Sequence, residues 1–180
     1  MRQTKKLTLS AMCVALSTAV MSLGATVEVF DLTASVFASL VVAFVYLEIG
    51  SPYTYLVWLG SSLLSFIFFP ASTVWIVHLF VFGFYPILKG YIEKLPRAAW
   101  LPLRLVYLNV ALVFLVFLCE RVVGVSFFGD VEGLPFSPTI IYIILWVAMN
   151  IAFVLYDFML SACVRFYFIK LRPRFKNLLK

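Results

Sequence analysis

Thirteen of the 14 lysine and arginine residues fall into three short clusters separated by long apolar runs. The first cluster holds Arg2, Lys5 and Lys6. The second holds Lys89, Lys94, Arg97 and Arg104, and the third Arg165, Lys170, Arg172, Arg174, Lys176 and Lys180, so that only Arg121 stands apart. Desolvating a cation in hydrocarbon is costly, and short basic loops stay cytoplasmic during insertion. The clusters therefore mark which ends of the apolar runs face the cytosol. Those runs lie at 7–24, 31–49, 53–69, 72–92, 100–121 and 139–163, each near the ~17–25 residues that a spanning helix needs.

With the N-terminus inside, cytosolic ends are expected near Arg2, near 49–53, near 89–104 and after 163. Three of these are the basic clusters, and the fourth, Glu48-Ile49-Gly50-Ser51-Pro52, is a tight turn without a base. The exterior then holds the loops Gly24 to Asp31, Pro70 to Ser72 and Val122 to Pro138. They carry Glu28, Asp31, Asp130 and Glu132, with Glu120 and Arg121 at the margin. The expected fold is an all-α integral membrane protein of the plasma membrane. It is one membrane domain over 1–180, a six-transmembrane-helix bundle with both termini cytoplasmic and a basic tail at 164–180.

Composition excludes the soluble alternatives. The chain is 64% hydrophobic and 12% charged, whereas a soluble domain carries ~25% charge to meet water. Insertion alone explains the net charge of +6, so no nucleic-acid partner is expected. Cys13, Cys119 and Cys163 lack metal-ligand spacing and read as buried thiols acting as small hydrophobes. A phosphate-binding Gly-Lys loop, paired metal ligands and a nucleophile–base constellation are all absent from the pattern. Neither a cofactor, a metal nor catalysis is expected, and uphill transport would draw its energy from a partner or an ion gradient. Arg2, Lys5 and Lys6 ahead of 7–24 imitate a secretory signal, but the apolar stretch exceeds the ~7–15 residues of a signal core. A retained first helix is expected.

Proline marks the run ends at Pro52, Pro70, Pro96, Pro102, Pro135 and Pro138, where a missing N–H costs little. Pro86 lies inside the fourth run, cannot bond the carbonyl of Phe82, and predicts a kink near Phe82–Tyr85. The last run reaches Lys170, too long for one untilted crossing.

Within the runs, polar residues sort by helical phase. His78, Phe82, Tyr85 and Lys89 share one face, and Asn109, Val116 and Glu120 another. Tyr142, Trp146, Asn150, Asp157, Ser161 and Arg165 form a looser stripe. Ionisable and amide groups at membrane depth face the bundle interior or a cavity. Each also has a structural role open to it: His78 as an interior hydrogen-bonder, Asn109 and Asn150 as interhelical bonds, Tyr142 and Trp146 as interface anchors. Asp157 would serve as counter-charge to Lys89 or Arg165. In the first helix Ala11, Ala15 and Ala19 recur every four residues, joined by Ser22. Such a stripe suits either internal packing or the approach of a partner helix.

Several of these features resemble the substrate-binding S components of energy-coupling factor transporters. The start Lys6-Leu7-Thr8-Leu9-Ser10-Ala11-Met12-Cys13-Val14-Ala15-Leu16 is similar to that family's basic lead-in and Ala-x-x-x-Ala first helix. Gly50-Ser51-Pro52-Tyr53 with Gly60-Ser61-Ser62-Leu63-Leu64 resembles its Gly-Pro entry to the third helix, and length and span count agree. The bulky stretch Thr54-Tyr55-Leu56-Val57-Trp58 departs from its small residues. The resemblance implies capture of a vitamin or other small molecule from outside, and docking through the first helix on a membrane coupling subunit driven by two ATPase subunits. Carried over, Ala11, Ala15 and Ala19 form the docking face, and His78, Glu120, Tyr142, Trp146 and Asn150 line the pocket. The loops around Glu28 and Phe127 close it. Two rivals stand beside this reading: a non-transporting assembly or scaffold protein of the cell envelope, and a lipid-acting enzyme using His78 with a carboxylate.

Overall fold

The apolar runs become six long helical segments, with no strand among the described residues. The computed structural model describes residues 3–27, 30–124 and 137–175. Helices α1 (Gln3–Thr26), α2 (Asp31–Glu48) and α3 (Ser51–Phe68) follow one another through short turns. The fourth segment is compound: α4 (Val74–Val77) widens into a π-helical turn, His78–Phe82, and the chain restarts as α5 (Tyr85–Ile92). Helix α6 (Arg97–Leu118) ends in a second π turn, Cys119–Val123. Helix α7 (Pro138–Phe166) runs through a third, Tyr167–Leu171, into the short α8 (Arg172–Phe175).

Five segments are long and apolar enough to cross a membrane: Gln3–Thr26, Asp31–Glu48, Val74–Ile92, Arg97–Arg121 and Thr139–Lys170. This makes the chain a helical, membrane-associated protein. The sixth segment, α3, matches α2 in length at 18 residues, but serine, threonine and tyrosine dilute its apolar content. Four of those hydroxyls are turned inward. Thr54, Ser61, Ser62 and Ser65 are buried, and the first three donate to the carbonyls of Gly50, Val57 and Trp58 in their own helix. A hydroxyl bonded to its own helix hides its polarity and leaves a small side chain that lets neighbours close in.

Helix α1 packs along α2 and α3, and α2 also touches α4, α5 and α7. Helices α1 and α2 approach closely at Gly24, where an added Cβ would sit 2.4 Å from the Cβ of Ala34. Gly50 turns α2 into α3 with φ +97°, a conformation that costs other residues strain. The compound segment Val74–Ile92 is the core of the bundle, with 56% of its spanning stretch buried against 11% for Thr139–Lys170. The last helix is thus peripheral. Its 29 residues extend about 43 Å at ~1.5 Å each, beyond a ~30 Å hydrocarbon layer, so it must tilt to cross.

Pro86 breaks the fourth segment more deeply than a kink. It occupies the first turn of α5, with Gly83 and Phe84 forming a turn ahead of it. The Gly83 N–H reaches back five residues to the His78 carbonyl at 2.7 Å. Carbonyls loosened by this π turn are taken up from three neighbouring helices. Trp58 Nε1 donates to Leu79 O at 3.0 Å. The Tyr107 hydroxyl reaches Phe80 O at 2.6 Å, and that of Tyr156 reaches Phe82 O at 3.4 Å. Pro102, expected at a run end, instead lies inside α6, which begins five residues earlier at Arg97.

Charge separates the two ends of the bundle. Lys6 lies 5.9 Å from the Tyr53 ring, Arg172 pairs with Glu48 at 3.1 Å, and Arg104 approaches Glu93 at 3.5 Å. The start of α1, the α2–α3 turn, the α5–α6 connection and the end of α7 therefore share one basic end. At the opposite end the Thr73 hydroxyl donates to Asp31 at 2.7 Å.

Candidate functional site

Helix α7 meets the bundle through polar contacts at three heights. Farthest from the basic end, Trp146 Nε1 donates to Asn109 Oδ1 at 2.7 Å, and Asn109 Nδ2 donates to Asn150 Oδ1 at 3.0 Å. At mid-height the hydroxyls of Ser39 and Tyr156 lie 2.7 Å apart, joining α2 to α7. Toward the basic end, Asp157 receives two cations. Lys89 pairs with its Oδ1 and Arg104 with its Oδ2. The Tyr85 hydroxyl also donates to Oδ1, and Lys89 donates to Ser161 Oγ at 2.7 Å.

Lys89, Asp157 and Arg104 keep only 7%, 13% and 13% of their side-chain surface exposed; Glu93, near both cations, keeps 43%. Two cations and two carboxylates leave the cluster neutral, which is how buried charge is tolerated. Sequence phase had paired Asp157 with Lys89 or Arg165. Lys89 is one partner as expected, the second is Arg104, and Arg165 is exposed. The signal for Arg104 was present: it is a base seven residues inside an apolar helix, too deep to be an ordinary flanking charge.

Beside this seam lies a cavity of about 310 Å³, between α2, the π turn, α6 and α7. Val36 and Phe37 of α2, Val81 of the π turn, Leu108 and Leu112 of α6, and Met149 and Phe153 of α7 contribute to its wall. Two hydroxyls reach it, and both are engaged: Thr33 with Phe30 O at 2.8 Å, Tyr156 with Ser39. Leu32, Phe37 and Met159 line it while remaining exposed on the bundle surface, so it opens sideways between α2 and α7. Its volume falls at the small end of ligand pockets, and its wall offers dispersion contacts with no free polar group to orient a ligand.

Among the described residues, none of those expected to bind substrate lines this cavity. His78 is fully buried between α3 and the π turn, its Nε2 3.2 Å from Ser61 Oγ. Trp146 and Asn150 are brought together, in the α6–α7 bond network just described. Glu120 on the second π turn and Tyr142 on α7 are exposed. Glu28 and Phe127 lie outside the described residues. Ala11, Ala15 and Ala19 share an exposed face of α1, while Ser10, Cys13, Ser17 and Met21 form the face packed inward. Cys13 and Cys119 are buried as expected of small hydrophobes, but Cys163 is exposed, because α7 turns that side away from the core.

Sequence reasoning passed over the cavity wall because Val, Leu and Phe at helical spacing look the same whether they pack solid or leave a gap. No family model, no curated protein and no solved structure matches this chain.

Proposed function

We propose that this chain is a capture subunit of a small-molecule uptake system, six spans with both termini cytosolic, and that its cargo is apolar. The observation that carries the reading is the cavity between α2, the π turn, α6 and α7, open toward lipid and lined almost wholly by hydrocarbon. A molecule entering there exchanges lipid contacts for protein contacts, so selectivity rests on shape. With the basic end cytosolic, the cavity reaches from mid-membrane toward the exterior, the side from which cargo arrives. The exposed Ala11, Ala15 and Ala19 face supports docking on a membrane coupling subunit whose ATPase partners supply the energy; this chain itself is not an enzyme in this reading.

The test is to purify the chain with its neighbours from the native membrane and identify co-extracted small molecules by mass spectrometry. Wild-type protein retains a defined apolar molecule; Val36→Phe and Ala152→Phe, which project into the cavity, lose it. Ala15→Leu keeps the molecule and loses the ATPase subunits. If the retained molecules are indifferent to cavity filling, capture is refuted. The engagement of Trp146, Asn150 and His78 in internal bonds favours the non-transporting assembly role as the second reading. In that role Ala15→Leu releases a partner that is not an ATPase, and no small molecule is held.

A further inference from the structure

A second crevice lies lower on the α2–α7 seam, toward the basic end, with a volume of about 450 Å³. Leu40, Phe44 and Leu47 of α2 face Met159, Cys163 and Phe166 of α7 across it. Met159 and Phe166 are exposed on its rim, so it opens to the bilayer. A hydrocarbon chain is what meets such an opening in a membrane. Cations gather at its basic end. Arg172 pairs with Glu48 at 3.1 Å and stacks on Phe168 at 5.1 Å. Lys170 lies 5.5 Å from the ring of Phe166, which is part of the wall. Arg165, between the wall residues Val164 and Phe166 in sequence, is exposed on the same stretch of helix. Glu48, largely buried beside Tyr167, pairs with Arg172, and the exposed Arg165 and Lys170 add two further positive charges to this end of α7 and the π turn after it.

From this we infer that the crevice is a binding site for a phospholipid with an anionic headgroup, its acyl chain between α2 and α7 and its phosphate at Arg165, Lys170 and Arg172. Charge complementarity selects the headgroup. Arg172 is half exposed and has five N–H donors, so it serves Glu48 and a phosphate together. Basic clusters of this kind at the end of a spanning helix attract anionic lipid with an energy that accumulates per cation. The inference is independent of the capture reading, which concerns the other cavity.

Native mass spectrometry of the detergent-solubilised full chain, supplied with equal palmitoyl-oleoyl phosphatidylglycerol and phosphatidylcholine, tests it. The expected result is one retained phosphatidylglycerol, favoured on the order of tenfold. The R165Q/K170Q variant, exposed at both positions and leaving the Arg172–Glu48 pair intact, lowers that preference several-fold. Ala162→Phe, which narrows the crevice, removes the bound lipid with the charges intact. K94Q/R97Q, which lowers the charge of the same end on α5 and α6, leaves both the lipid and the preference. Equal retention of the two lipids by the wild type overturns the proposal. So does an equal loss in K94Q/R97Q, which would make the effect one of overall charge. A dimer mass in place of bound lipid, abolished by Ala162→Phe, assigns the crevice to a second copy of the chain and overturns it as well.

Discussion

Removing the carboxylate of Asp157 is the most informative single change in this molecule. In Asp157→Ala, Lys89, with 7% of its side chain exposed, keeps two neutral acceptors, the Ser161 hydroxyl at 2.7 Å and the backbone carbonyl of residue 157 at 3.2 Å, and one carboxylate, Glu93 at 3.6 Å. Arg104 keeps Glu93 at 3.5 Å. Breaking a buried pair from one side costs about 3–5 kcal/mol, because the remaining charge is left without compensation. Glu93 is nearly half exposed, so its attraction is screened and recovers less than about 1 kcal/mol. The expected cost is therefore about 3 kcal/mol, while Glu93→Gln costs about 0–1 kcal/mol. Reversible unfolding in mixed micelles by increasing mole fraction of sodium dodecyl sulfate measures both. A triple variant, Lys89→Met, Arg104→Met, Asp157→Leu, separates charge from packing and should recover to within about 1–2 kcal/mol of wild type. If Asp157→Ala costs no more than Glu93→Gln, the cluster is solvated and α7 is held by something else. A triple variant as unstable as Asp157→Ala would refute the charge argument while leaving the importance of the site intact.

Other substitutions probe the backbone and the polar seam. Gly24→Ala drives a Cβ against Ala34 at 2.4 Å and should cost about 1–3 kcal/mol by forcing α1 from α2. Gly50→Ala meets no atom within 4 Å, so it should cost only the ~1–3 kcal/mol of its backbone conformation, φ +97° and ψ −179°; the same unfolding assay measures both. Gly83→Ala would place a Cβ 2.6 Å from the His78 carbonyl and 2.7 Å from its Nε2. It should disrupt the π turn and lower the protection of the Gly83 and Phe84 amides in hydrogen exchange, and unchanged protection would contradict the geometry. Trp146→Phe removes the bond to Asn109 and should cost about 0.6–1.7 kcal/mol, the range of interhelical hydrogen bonds in membranes.

How much of this was legible in the sequence follows from which forces leave a pattern. Segment boundaries were legible because desolvation acts on every charge: six apolar runs became six helical segments, with ends near Glu48, Phe68 and Ile92. Pro86 located the break in the fourth segment for a local covalent reason. The depth of that break was not legible, since a π turn needs acceptors satisfied from elsewhere. Trp58, Tyr107 and Tyr156 do this from three other helices, at sequence separations of 21, 27 and 74. Helical phase placed Tyr85 and Lys89 on one buried face and Asp157 with Ser161 opposite. It could not supply Arg104, whose role depends on how α6 is rotated against α7. The family resemblance, not helical phase, implied a pocket shared by His78, Glu120, Tyr142, Trp146 and Asn150. Periodicity reports which face of a helix is polar, and His78, Trp146 and Asn150 use their polarity on one another or on a neighbouring helix.

The same distinction explains why α7 borders two gaps. In lipid, apolar helix surfaces gain little by exchanging lipid contacts for one another, so hydrogen bonds and close backbone approach set which helices stay together. Helix α7 is bonded to α5 and α6 through Asp157 and the asparagines. Toward α2, it bonds through the Ser39–Tyr156 contact, and beyond its end Arg172 pairs with Glu48. Above and below that contact lie the two cavities, which share Met159. Between the Ser39–Tyr156 contact and the Arg172–Glu48 pair, the seam has room to widen on the α2 side without loss of the anchor on the other. Tyr156→Phe should therefore cost about 0.6–1.7 kcal/mol yet broaden the distance between spin labels on Cys163 and on Leu47→Cys, which face each other across the lower crevice. The buried Cys13 and Cys119 stay unlabelled in the folded protein. Asp157→Ala should lose stability and broaden that distance together. A narrow, unchanged distribution in Tyr156→Phe would mean that packing closes the seam, and that neither gap opens by movement of α7.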